Sequence, residues 1–67
     1  MEAKLKRRTE KDPTNQDALY EYAMYLEMDG RLDEAKAQLG KLFKLNPDHT
    51  RGRELEAVIQ VLESGGE

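Results

Sequence analysis

His49, the single histidine, sits beside Asp48 and is the first side chain of a type that could carry chemistry. An imidazole titrates near neutrality and ligates metals, but a metal needs further ligands at fixed spacing, and the surrounding residues offer none. It reads as a solvated residue at a helix start. Ser64 has no base in a nucleophile motif. Asp12-x-Thr14-x-Gln16 has the alternating oxygen donors that open a calcium loop, yet no Gly stands at the sixth place and no Glu at the twelfth. The absence of Cys removes disulfides, Cys-ligated zinc, iron–sulfur sites and thiol nucleophiles, and leaves the redox compartment open. No catalytic residues, metal site or cofactor are expected.

The chain has 67 residues, 11 basic and 14 acidic, for a net charge of −3. A chain of this length hides only about 60% of its surface on folding, so one core can form but a substrate-sized cavity cannot also be enclosed. The start, Met1-Glu2-Ala3-Lys4-Leu5, is charged, and no run approaches the ~18 apolar residues of a membrane span. A soluble, cytoplasmic, non-enzymatic chain is the expectation. Within residues 1–11, five basic residues (Lys4, Lys6, Arg7, Arg8, Lys11) stand against Glu2 and Glu10, giving +3, so the remainder carries −6. No aromatic residue interleaves these charges and no recognition helix follows, so a solvated helix face is preferred to a nucleic-acid or acidic-surface contact.

The elements that position these residues follow from a self-match. Asp12-Pro13 lies over Asn46-Pro47 at an offset of 47 − 13 = 34, with Leu5 over Leu39 and Ala23 over Ala57. Prolines at that period break the chain into helix-turn-helix units. From about Asn15 to Asp29 the set Ala18, Leu19, Tyr22, Ala23, Leu26 forms one broad helical stripe, capped by Thr14 or Asn15 and ended at Gly30, which has no Cβ to clash at positive φ. A second helix, about Leu32 to Leu45, carries Leu32, Ala35, Leu39 and Leu42 on one face, with Asp33-Glu34 at its positive dipole end and Lys41 and Lys44 at the other. A third, about Thr50 to Glu63, carries Leu55, Val58, Ile59 and Leu62 at i, i+3, i+4, i+7. Residues 1–11, with Leu5 as nearly their only large apolar side chain beyond Met1, predict a weak helix that packs poorly. Gly40, in mid-helix, marks either a close helix approach or simple tolerance.

The stretch from about Gln16 to His49 resembles a tetratricopeptide repeat. The resemblance rests on Gly30-Arg31-Leu32-Asp33-Glu34-Ala35, the small pair Ala23 and Ala35, the large apolar Leu19, Tyr22, Leu26, Leu39, Leu42 and Phe43, and the closing Pro47. It implies an all-α fold with one antiparallel helical hairpin, a short N-terminal helix and a C-terminal capping helix. The expected organisation is a single domain: 1–12 the basic helix, 14–47 the complete repeat, 48–63 the capping helix and 64–67 a flexible tail. The sequence departs from the pattern at both ends. Arg8 and Lys11 stand where a full repeat has Leu42 and Leu45, and Gly52, Arg53, Glu56 and Gln60 stand where Ala18, Leu19, Tyr22 and Leu26 do. Polar residues there are expected of a helix that ends an array.

The resemblance further implies a non-catalytic protein–protein interaction module, an adaptor or scaffold that takes a peptide or helix along the concave face of its first helices. That face carries Asp17, Tyr20, Glu21, Met24, Glu27 and Met28. Moving by 34 residues gives Arg51, Glu54, Leu55, Val58, Val61 and Leu62, and together they make an apolar strip, Tyr20, Met24, Met28, Leu55, Val58, Leu62, edged by acids. Met is adaptable at binding surfaces. Where some family members hold a partner's C-terminal carboxylate with Lys, Asn and Arg, this chain has Asp17, Tyr20, Glu21 and Met24, so a basic or amphipathic partner segment is expected instead. Two other readings stay open: the third-helix stripe closes the hairpin's own core, or the strip is the interface of a homodimer, since a single complete repeat is short of the three or so that stability usually needs. A docking of the +3 segment on another copy's acidic wall is a variant of the latter.

Overall fold

The structure, a computed structural model, describes residues 1–65; of the tail at 64–67, Gly66 and Glu67 lie outside the described residues. Four helices follow one another: α1 (Glu2–Lys11), α2 (Gln16–Met28), α3 (Leu32–Leu45) and α4 (Thr50–Glu63). Among the described residues there is no strand. The fold is therefore all-α, a tetratricopeptide-like hairpin of α2 and α3 with α1 before it and α4 after it.

The two proline turns have the same geometry, 34 residues apart. The N–H of Asp12 donates to the Arg8 carbonyl at 3.0 Å and that of Asn46 to Leu42 at 2.8 Å, which closes α1 and α3 alike. The N–H of Asn15 then donates to the Asp12 carbonyl at 3.0 Å, and that of His49 to Asn46 at 3.2 Å. Both turns end in a side-chain cap. Asn15 Oδ1 accepts from the Ala18 N–H at 3.1 Å, and His49 Nδ1 accepts from the Gly52 N–H at 2.9 Å. Each cap satisfies a helix N–H that has no partner within its own helix. The α2–α3 turn differs, since Gly30 takes φ +78 and the N–H of Arg31 reaches back to the Leu26 carbonyl at 2.9 Å. A residue with a Cβ would be strained there.

Small residues set how closely the helices approach. Ala18, Ala23 and Ala35 have no exposed surface, and around them Leu19, Leu26, Leu39, Leu42 and Ile59 are the large side chains that are fully buried. Burying each of those stabilises by roughly 1.5–3 kcal/mol before conformational entropy is charged against it. Helix α4 closes this core with one edge of its stripe only. Leu55 and Ile59 are buried, whereas Val58 and Leu62 are 46% and 49% exposed. The two readings of that stripe thus divide between its residues.

Helix α1 is better held than its lack of apolar side chains implies. Leu5 packs against the core and Thr9 is buried, its hydroxyl donating to the Lys6 carbonyl at 2.7 Å. The remaining ties are polar and long-range in sequence. Arg8 meets Glu21 at 2.6 Å, Arg31 meets Glu2 at 2.7 Å, and the Tyr22 hydroxyl donates to Glu2 at 3.3 Å. Arg31 also pairs with Glu34, so it joins α1 to the start of α3. The hydrogen bond from Arg31 holds the Glu2 carboxyl below the usual carboxylate range, against the opposing effect of partial burial. Burial first, and the Glu2 charge second, push the Tyr22 hydroxyl above its ordinary value.

The glycines resolve differently. A Cβ at Gly40 meets nothing within 4 Å, so that position is merely tolerated. At Gly52 a Cβ would lie 2.9 Å from Leu42 Cδ2 and 3.0 Å from Phe43 Cε1, so the close approach is between α4 and α3.

Two expectations follow. Gly40→Ala raises stability by up to about 1 kcal/mol through helix propensity, and Gly52→Val lowers it by about 2 kcal/mol through overpacking, both read from thermal unfolding by circular dichroism. Because the Glu2 carboxyl is depressed in the folded chain, its contribution is complete above the ordinary carboxylate range and fades as pH falls through that range and below it. Glu2→Gln flattens that acid limb; an unchanged limb in the variant places the pH sensitivity elsewhere.

Candidate interaction surface

Helices α2 and α4 lie side by side and carry the strip read from the sequence. The 34-residue shift pairs Met24 with Val58 and Met28 with Leu62, and all four are exposed, Met28 the most at 76%. Leu55 is placed otherwise. It is buried in the core and lies beneath the strip rather than on it. Its position on α4 is three residues from Val58 and seven from Leu62, so the turn of α4 about its own axis decides which edge of the stripe faces inward.

Tyr20 is half-buried against the core, and its ring stacks on His49 with centroids 5.9 Å apart. The same imidazole caps α4 through Nδ1, so the proton of the neutral ring belongs on Nε2. His49 is thereby a structural hinge-pin between α2 and α4. Among the described residues no group of three His, Asp or Glu side chains is placed to hold a metal.

The acids that edge the strip are unequal. Asp17 is exposed and Glu27 half-buried, whereas Glu21 is bound at 2.6 Å by Arg8 of α1. Part of the acidic wall is therefore neutralised by the chain's own basic helix. On the far side of α4, Arg53 lies over the Phe43 ring, 4.2 Å from its centroid, donates from Nε to the Pro47 carbonyl at 3.0 Å and meets Glu56 at 3.2 Å. These contacts turn the polar residues of α4 back onto the hairpin.

Two concavities escaped the sequence reading. One, about 360 Å³, opens between α1 and α2 and is lined by Met1, Leu5, Glu21, Met24, Tyr25 and Met28. The other, about 240 Å³, lies between α1 and α3 with Tyr22 at its base and Lys6, Glu10, Glu34 and Lys41 around it. The Oε1 of Gln38, which lines the second groove, is buried without a hydrogen-bond partner. Both grooves depend on how α1 docks, which rests on polar pairs between distant residues. The only sequence signal for the first was the alignment of Leu5 with Leu39 at the 34-residue offset.

No described helix is long and apolar enough to cross a membrane. No match was found among curated proteins or among solved structures. The tetratricopeptide repeat family model does match, over residues 2–59, a span that runs from the start of α1 to Ile59 and so takes in the complete hairpin and the greater part of both flanking helices. With the repeated proline turns, the buried small pair Ala23 and Ala35 and the Gly30 turn in place, this chain belongs to the tetratricopeptide repeat family.

Proposed function

We propose that the chain is a non-catalytic adaptor that takes a partner peptide or helix along the face shared by α2 and α4. The observation that carries this is the exposed apolar set Met24, Met28, Val58 and Leu62, two from each of two adjacent helices at the same repeat positions. Tyr20 continues the strip toward the α3–α4 turn, and Leu55 supports it from below. Contiguous exposed apolar surface on a small chain marks an interface, and Met adapts to the side chains it meets. Asp17 and Glu27 leave the border of the strip acidic, so a basic, amphipathic segment is the fitting partner, with Glu21 available only to a ligand that competes with Arg8. Family membership supports a protein partner, and the tetratricopeptide pattern brings no catalytic residues with it. A cytoplasmic setting is part of the same proposal.

The test is a titration of the chain with a helical Lys/Leu amphipathic peptide, followed by fluorescence anisotropy, alongside light scattering of the chain alone. Val58→Glu and Leu62→Glu each weaken binding at least tenfold while the melting temperature holds, because both side chains are already solvated. Leu55→Glu unfolds the chain instead, since it buries an unpaired charge. A wild-type chain that scatters as a dimer and becomes monomeric on Val58→Glu would assign the strip to self-assembly and overturn the adaptor reading.

A further inference from the structure

The caps of α2 and α4 occupy equivalent places in the repeat and differ in one chemical respect. Asn15 and His49 stand 34 residues apart, and each accepts from the N–H three residues on, Asn15 Oδ1 from Ala18 at 3.1 Å and His49 Nδ1 from Gly52 at 2.9 Å. An amide oxygen accepts at any pH. An imidazole nitrogen accepts only while the ring is neutral, because the imidazolium carries a proton on both nitrogens and can only donate. Helix α2 therefore has a permanent cap and α4 a conditional one. His49 is the single histidine of the chain, and an imidazole changes charge between about pH 5 and 8.

Nothing at the start of α4 stands ready to replace the lost acceptor. The first turn of α4 holds no acidic side chain, whereas that of α2 has Asp17 and that of α3 has Asp33 and Glu34. Two N–H groups cannot face each other across 2.9 Å, so the charged ring must turn away from Gly52. The same ring stacks on Tyr20, so the turn that breaks the cap also breaks the contact between the α4 start and α2. The groups around the ring pull both ways. The Tyr20 face, with Asp17 one turn before it on α2, and Asp48 in the turn favour an imidazolium, while Arg53 and the positive end of the α4 dipole oppose it. Helix α3 presents the uncharged Leu42 and Phe43 at this place. The acids can steady the charge, but they supply no acceptor to the Gly52 N–H.

We infer that His49 is a pH switch: its protonation uncaps α4, parts the start of α4 from Tyr20 and loosens the face shared by α2 and α4, so that acid releases a partner held there. The release of a partner rests on the adaptor reading, whereas the uncapping does not.

Measurements on the full chain at pH 7.5 and pH 5.5 test the two parts separately. By NMR, protection of the Gly52 amide from hydrogen exchange falls about fivefold in acid, that of Ala18 changes less than twofold, and the Tyr20 ring signals move together with those of His49. The melting temperature falls by about 5 °C over the same interval. His49→Asn, which places the cap of α2 at the equivalent position of α4, abolishes that fall. The Lys/Leu amphipathic peptide binds the wild-type chain about fivefold more weakly at pH 5.5 and binds His49→Asn equally at both values. Protection at Gly52 that ignores pH overturns the switch, as does an acid response that His49→Asn retains. Equal wild-type affinity at the two values overturns the coupling to the partner face. A peptide that binds at neither pH counts against the adaptor reading alone, and the Gly52 and melting measurements still decide the switch.

Discussion

The close approach of α2, α3 and α4 is the constraint on which the rest of this structure depends. It is set by small residues at three places: Ala23 on α2, Ala35 on α3 and Gly52 on α4. With helix axes brought near each other there, the large side chains to either side, Leu19, Leu26, Leu39, Leu42 and Ile59, fill one continuous seam with no exposed surface to speak of. The molecule is only 14 Å through its thinnest direction, and this seam with Tyr22 and Leu55 makes up its core. A side chain added at Gly52 has nowhere to go because Leu42, which it would strike, is itself fully enclosed.

A core this thin leaves helix faces uncovered at both ends, and the two ends handle that differently. On one face of α4 the outward residues are polar and fold back: Arg53 stacks on Phe43 and bonds the Pro47 carbonyl, with Glu56 beside it, while Val58, Val61 and Leu62 stay exposed on another. Water wets that face without penalty. At the α1 end Arg8 occupies the place of Leu42 and pairs with Glu21, which occupies the place of Leu55, so an ion pair stands at the position of an apolar contact. Yet Met1, Leu5, Met24 and Met28 around that pair remain apolar. Polar residues of α4 are held by cation–π and main-chain contacts, whereas beside α1 an ion pair stands among apolar side chains.

Much of this was legible in the sequence, and for identifiable reasons. The α2–α3 hairpin, the Asn15 cap and the Gly30 turn follow from apolar periodicity, a short polar residue before Ala18 and a glycine at a helix end, all of which act locally. The 34-residue shift found α4 because Pro47 repeats Pro13. Other features depend on rotations and on distant pairs that periodicity does not encode. Leu55, Val58, Ile59 and Leu62 form one stripe in the sequence, but the contact of Gly52 with Leu42 and Phe43 fixes the turn of α4, which takes Leu55 and Ile59 inward and leaves Val58 and Leu62 outside. Helix α1 looked unsupported because its supports, Glu21, Tyr22 and Arg31, lie 13 to 29 residues away. His49 looked like a solvated helix start, whereas its ring caps α4 and stacks on Tyr20 at once.

The charge asymmetry takes on a different meaning once these pairs are known. A +3 segment and a −6 remainder read first as a solvated basic helix face, but the structure brings acid and base together within the chain. Arg8 reaches Glu21, and Glu2, one of the two acids of the basic segment, reaches Arg31 of the acidic body. Such exposed pairs contribute little individually, yet here they stand in for the apolar residues that α1 lacks and so fix where it docks. That docking in turn shapes both grooves beside α1. The basic helix is therefore a wall of the molecule rather than an arm.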